Sequence, residues 1–285
     1  MTPSGSDTPP TRTLADEQAV VEQLAEVWGR LEVVGADLGE EQWKAPTEVP
    51  GWTVQDNLTH LTDIEARLLD LPRPDHTVAP GLAHVKNDAG VNNELFVDAR
   101  RSWSGADALA EFREVTGRRL AVLRALDLDG FGAESWTPMG PGTVRDLLPF
   151  RAFDSWVHEQ DVRRALGLPG WCTGPAAEAS MDRIVGTIGY VVGKQVAPPD
   201  GTTVVVTTTA PLARTVVVTV AGGRAVTGGP MPDAPTVRIT APGEVWARIA
   251  CGRGDVAAEL AAGTFGFTGD ADLGRRIVER LNFLF

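Results

Sequence analysis

The chain has 285 residues, 43% of them hydrophobic, a length that corresponds as a soft prior to about two domains with a sizeable core. With 26 Lys+Arg against 38 Asp+Glu, its formal net charge of -12 repels phosphate backbones and anionic membrane surfaces, so nucleic acid is excluded as an expected partner. The two cysteines, Cys172 and Cys251, make neither a disulfide framework nor a Cys-x-x-Cys zinc site, and no run approaches eighteen uninterrupted apolar residues; a cytoplasmic protein without a membrane partner is expected.

Residues 1–13, rich in Pro, Ser, Thr and Asp, lack the basic start and apolar run of a signal peptide and read as a disordered lead. Val21, Leu24, Trp28, Leu31 and Val34 recur at three- and four-residue intervals and predict a first helix over 14–38. Thr53-Val-Gln-Asp56 has the N-cap pattern in which a hydroxyl and a carboxylate satisfy orphan amides, so a second helix is expected over 54–71. After a loop containing Pro and Gly, 91–101 and 107–126 have helical periodicity with an interruption at 102–106. Thr143-Val-Arg-Asp146 repeats the cap pattern and opens a helix reaching roughly to Gly167, in which Pro149 should produce a kink or delay the regular start. A last helix over 176–196 completes a helical unit at 14–197, and Ala197-Pro-Pro-Asp-Gly201 is a composition shift read as a domain boundary.

Beyond it, valine- and threonine-rich segments at 202–209 and 215–220, with a Gly-Gly turn into 225–227, predict an antiparallel sheet, to which 236–240 adds a strand. Helices are expected at 244–250, 255–262 and 273–284, with 264–268 extended. The fold class is thus a helical bundle followed by a small α+β domain at 202–285.

Asp154 and His158 are four apart on a predicted helix and project from one face, about 6 Å apart along the axis. That spacing suits a borderline divalent ion such as zinc, whose catalytic sites take three protein ligands and keep a fourth position open. His60, in the middle of the other capped helix, is the best third ligand, because facing bundle helices bring mid-helix side chains together. Asp63, three residues from His60, and Asp161, three from His158, are alternative carboxylates; an ordinary surface Asp/His pair is the competing reading of the spacing. His76 and His84 lie in or beside the Pro/Gly loop and read as solvated or capping residues. Trp52 and Trp156 read as packing, and the cysteines as small buried hydrophobes.

The runs Val49-Pro-Gly-Trp-Thr-Val-Gln-Asp-Asn-Leu-Thr-His60 and Arg151-Ala-Phe-Asp-Ser-Trp-Val-His-Glu-Gln-Asp-Val-Arg163 resemble the mycothiol-dependent maleylpyruvate isomerase family. The run Glu244-Val-Trp-Ala-Arg-Ile-Ala-Cys-Gly-Arg253 is similar to that family's second domain. The resemblance implies a DinB-like four-helix bundle holding a divalent metal, usually zinc, beside a sterol-carrier-like α+β domain. It also implies His60, Asp154 and His158 as metal ligands, with Asp154 one methylene shorter than the family's glutamate. A mycothiol cosubstrate would add as thiolate to a small unsaturated carboxylate, followed by rotation and elimination in an isomerase or by retention of the adduct in an S-transferase.

Arg151, on the ligand face of its helix, is a candidate to hold the substrate anion, with a plain salt bridge to a helix acid as the alternative. Asn57, one turn before His60, is a candidate to fix that imidazole's tautomer, and Arg248 to reach a substrate cleft between domains. Two other functions compete with thiol addition: a hydrolase using metal-activated water, and a non-catalytic binding protein for a small apolar molecule. A monomer or dimer is expected.

Overall fold

The computed structural model describes residues 12–283. Helix α1 (Leu14–Ala36) starts at Thr13, whose hydroxyl accepts from the Asp16 amide while Asp16 accepts from the Thr13 amide. The expected lead therefore lies outside the described residues, except for Arg12 and this cap. A short α2 (Glu40–Trp43) leads to α3 (Val54–Arg67), α4 (Asp88–Arg100), α5 (Gly105–Arg124) and α6 (Leu128–Gly132). A hairpin of β1 (Glu134–Thr137) and β2 (Gly140–Thr143), absent from the sequence expectation, runs straight into α7 (Val144–Ala165).

Helices α1, α3, α5 and α7 form a four-helix bundle in which α1 and α3 each meet both α5 and α7. Its interior is filled by side chains such as Leu24, Trp28, Leu58, Leu61, Phe112 and Leu148, all fully buried, each contributing about 1.5–3 kcal/mol for aliphatic or phenyl groups. Helix α3 stops four residues before the expected end, because Asp70 takes a left-handed φ of 53° and the Leu71 amide turns back to the Ala66 carbonyl. Pro149 lies within α7 without interrupting it, so the expected delay of the helix start does not occur. The last expected helix is broken into α8 (Pro175–Gly186), α9 (Ile188–Tyr190) and a π-helical turn over Val191–Val196. The break falls at Thr187, whose hydroxyl bonds the Ile184 carbonyl at 2.7 Å and so competes with the helix ladder.

The C-terminal sheet contains β3 (Thr203–Thr209), β4 (Arg214–Ala221), β5 (Arg224–Thr227), β6 (Val237–Pro242) and β7 (Gly266–Gly269), in the order β5-β4-β3-β6-β7. It is mixed rather than antiparallel: after the β4–β5 hairpin the chain crosses to the other side of β3, where β6 pairs in parallel with Val204 opposite Val237. Helices α10 (Gly243–Ala250), α11 (Val256–Ala261) and α12 (Ala271–Val278) complete this α+β part. Helices α10 and α12 pack on the sheet and α8 contacts β4, so one apolar core runs from bundle to sheet. Among the described residues no helix is long and apolar enough to cross a membrane.

Candidate metal centre

Helices α3 and α7 open with the same reciprocal cap, Thr53 with Asp56 and Thr143 with Asp146, and then run antiparallel across the bundle. This arrangement sets Asn57 opposite His158, His60 opposite Asp154 and Glu65 opposite Arg151. His60 Nε2 is 3.6 Å from Asp154 Oδ2, and His158 Nε2 is 3.7 Å from Asp154 Oδ1. One ligand atom from each residue lies within 4.8 Å of the others. Both imidazoles are buried, whereas the Asp154 side chain is 31% exposed and forms the solvent side of the group.

The three residues suit a divalent ion. Contacts of 3.6 and 3.7 Å, one to each Asp154 oxygen, are too long for hydrogen bonds, yet the three ligand atoms lie within 4.8 Å of one another, close enough to converge on one ion. Burial lowers the His60 pKa to about 4, so its ring is neutral at physiological pH, as a ligand must be. The His158 Nδ1–H donates to Asn57 Oδ1 at 2.6 Å, so Nε2 is the ring nitrogen turned toward Asp154. Burial opposes ionisation of Asp154, but the charge of Arg151 and a contact from His60 hold its carboxyl well below the usual range. The aspartate is therefore a carboxylate, and despite its shorter side chain it faces both imidazoles.

Arg151 gives Nη1 to Asp154 at 2.7 Å and Nε to Glu65 at 2.7 Å, while Arg119 reaches the other Glu65 oxygen at 3.2 Å. Its charge is thus directed at two protein carboxylates, the alternative weighed against a substrate-anion role. Asn57 serves His158 and not His60: from α3 its side chain crosses to the facing helix, and its Nδ2 is anchored to Thr53 O at 2.8 Å. Neither alternative carboxylate joins the group. Asp63 pairs with Arg67, and Asp161 sits behind His158, with Oδ2 3.3 Å from Nδ1 on the side of the ring away from Asp154.

Sequence reasoning missed Glu65 and Glu94. Trp52 tilts against both imidazoles, with ring centroids 4.9 Å from His60 and 5.9 Å from His158, and gives Nε1–H to Glu94 at 2.9 Å. Glu94 also meets His84 at 3.0 Å and Arg101 at 2.6 Å. His84 thus lies against Glu94 and away from open solvent, and the partly exposed His76 shares a hydrogen bond with Asp98 at 2.7 Å. No spacing signal could have found these contacts, because they join separate helices and a loop.

Arg248 reaches the boundary between bundle and sheet, where its Nε is 2.9 Å from Glu48 and its Nη1 3.3 Å from Glu259. It lines a cavity of about 330 Å³ with Trp156, Gln160, Arg164, Leu212 and Val245. The α7 residues in that wall point from a different face of the helix than Asp154 and His158. Both cysteines also line it, and burial pushes each thiol up to about 12, which keeps them protonated.

Residues 24–163 match the mycothiol maleylpyruvate isomerase N-terminal domain. Uncharacterized proteins of Mycobacterium tuberculosis strains H37Rv and CDC 1551 are each 28% identical over 159 residues, 54% of this chain. The match spans 59% of those relatives' length. The crystal structure of the mycothiol-dependent maleylpyruvate isomerase superposes with a TM-score of 0.53 at 13% identity, covering 86% of this chain and 93% of that one. A histidine-to-alanine mutant of it gives 0.53 at 12%, covering 90% and 96%. The two-part fold is thus shared, and the C-terminal α+β region is similar to sterol carrier protein 2-like 2 from Aedes aegypti, at 22% identity over 35% of this chain and 90% of that one, with a TM-score of 0.27.

Proposed function

From the match of residues 24–163 to the mycothiol maleylpyruvate isomerase N-terminal domain, we propose that the chain is a metal-dependent enzyme that adds a thiolate to a small electrophile. The observation that carries this reading is the convergence of His60 Nε2, His158 Nε2 and the Asp154 carboxylate at the one partly exposed point of an otherwise buried group. Two imidazoles and a carboxylate favour zinc among the common divalent ions. A divalent ion held there would lower the pKa of a coordinating thiol from about 8.5 and so supply thiolate at neutral pH. The thiol of the reading is mycothiol, and the electrophile an unsaturated carboxylate, isomerised as in the family or retained as an S-adduct.

The chain's own residues prepare the site in three ways. Arg151 keeps Asp154 ionised and fixes its rotamer from one side. Asn57 holds the His158 proton on Nδ1. Trp52 and the bundle core exclude water from the inner side of both rings, leaving only the Asp154 side open.

Elemental mass spectrometry of the chain purified without chelator tests the premise. Near-stoichiometric zinc, sharply reduced in His60→Ala and Asp154→Ala, is expected; no metal and no uptake on adding zinc sinks the reading. Turnover of maleylpyruvate with and without mycothiol then separates the chemistries, since turnover that ignores the thiol would favour the hydrolase.

A further inference from the structure

The loop leaving α10 carries the second domain back to the candidate metal centre. Its sequence is Cys251-Gly252-Arg253-Gly254-Asp255, and both glycines have a φ of 71°, a left-handed conformation that other residues rarely adopt. A Cβ at Gly252 would come within 2.8 Å of the Asn282 side chain, and one at Gly254 within 2.8 Å of Arg248. The backbone between them closes on itself, with the Arg253 amide donating to the Arg248 carbonyl at 2.9 Å. The two glycines thus give Arg253 one fixed direction.

That direction is into the bundle. Arg253 Nη1 donates to the Cys251 carbonyl at 2.7 Å, which anchors the guanidinium, while Nη2 and Nε reach Asp161 at 2.9 and 3.2 Å. Asp161 is completely buried, and Arg164 donates at 2.5 Å to its Oδ1, the oxygen that Arg253 Nε also meets, while Nη2 meets Oδ2. The Asp161 oxygen nearest Arg253 Nη2 is the one 3.3 Å from His158 Nδ1. An unbroken line of polar contacts therefore runs from the sheet domain to the imidazole whose opposite nitrogen faces Asp154.

We infer that Arg253 is a positioning residue of the metal centre: it fixes Asp161 behind His158, so that docking of the second domain sets metal affinity. The inference rests on the metal reading above. It has a distinctive sign. A guanidinium that acted only through its charge would repel a divalent cation, and removing it would tighten binding. A guanidinium that acts through Asp161 on ring orientation loosens binding when removed, because partners behind a metal-ligating histidine typically contribute 10- to 100-fold in affinity.

Zinc competition against a chromophoric chelator, on the full chain, tests this with Arg253→Gln, Arg253→Lys, Asp161→Asn and the double variant Asp161→Asn/Arg253→Gln. Arg253→Gln is expected to weaken zinc about 10-fold and to shift the visible bands of the cobalt(II)-loaded protein. Arg253→Lys, which keeps the charge but loses the forked contact, should show a smaller loss; it also carries the comparison if the glutamine variant fails to fold. In the Asp161→Asn background Arg253→Gln should add nothing, as two residues of one contact line require. Unchanged or tighter zinc binding in the Arg253 variants, or full additivity in the double variant, overturns the inference. Wild-type protein that takes up no zinc overturns the metal reading and this inference with it, a failure visible before any variant is compared.

Discussion

The two imidazoles of the candidate centre are held by different physics. On the His158 side, Nδ1 donates to Asn57 at 2.6 Å and has the Asp161 carboxylate at 3.3 Å, so hydrogen bonding and charge fix both tautomer and ring plane. On the His60 side, Nδ1 is buried and has no hydrogen-bond partner, and the ring is kept in place by Trp52 at 4.9 Å and by the bundle around it. Directional contacts can set an imidazole's proton as well as its angle; packing sets the angle alone. The His60 proton is therefore governed by burial, which pushes its pKa down to about 4, while the His158 proton is governed by a named acceptor.

Removing the packing side should produce the largest effect on stability. Trp52→Ala deletes a buried indole and leaves Glu94 without one of its donors, so a loss of about 3–5 kcal/mol in denaturant unfolding is expected. Trp52→Phe, which keeps a ring against His60 but not the Nε1–H to Glu94, should lose much less. If the alanine and phenylalanine variants lose the same amount, the hydrogen bond to Glu94 and not the ring contact holds the His60 side, and the contrast between the two imidazoles collapses.

Removing the directional side should act on the metal more than on the fold. Asn57→Ala takes away the acceptor of the His158 proton, and zinc affinity is expected to fall 10- to 100-fold, about 1.4–2.7 kcal/mol. A titration against a competing chelator reads this directly. A variant with unchanged affinity would mean that Asp161, at 3.3 Å, suffices to hold the ring.

Much of this arrangement was legible in the sequence because it follows helix periodicity. The spacing of Asp154 and His158 puts both on one face of α7, and the Thr-x-x-Asp caps, a pattern that α1 also has at Thr13 and Asp16, locate the starts of the two helices that supply the group. The facing of His60 onto Asp154 followed from bundle geometry together with the family resemblance. Contacts that depend on how separate elements meet were not legible. Asn57 lies one turn from His60 in sequence, yet its Oδ1 meets His158 on the facing helix while its Nδ2 is tied back to the Thr53 carbonyl and the Thr47 hydroxyl. Arg253 lies 92 residues beyond Asp161, and only the docking of the sheet domain joins them. The β1–β2 hairpin, whose strands are four residues each and include Gly140 and Gly142, carries too little alternation to register as strand. The parallel pairing of β3 with β6 was hidden because strand composition does not encode partner direction.

The finest test uses the two caps themselves, which share a sequence pattern but differ in burial. In α3 the Asp56 side chain is buried and accepts the Thr53 amide at 2.8 Å; in α7 the Asp146 side chain is exposed and accepts the Thr143 amide at 3.0 Å and its hydroxyl at 2.6 Å. Thr53→Ala and Thr143→Ala should each lower stability by about 1 kcal/mol, with Thr53→Ala the larger because water cannot readily replace the lost acceptor at a buried amide. Their effects on the metal should diverge further. His60 lies seven residues from Thr53, within two turns of the helix start, and Asn57 is also anchored to the Thr53 carbonyl. His158 lies fifteen residues from Thr143, about four turns in and beyond the reach of end fraying. Thr53→Ala is therefore expected to weaken zinc binding measurably, and Thr143→Ala to leave it unchanged at matched temperature. Equal losses would show that the bundle transmits strain along α7 as effectively as across α3, and that the two sides of the centre are held by one rigid body rather than by separate local contacts.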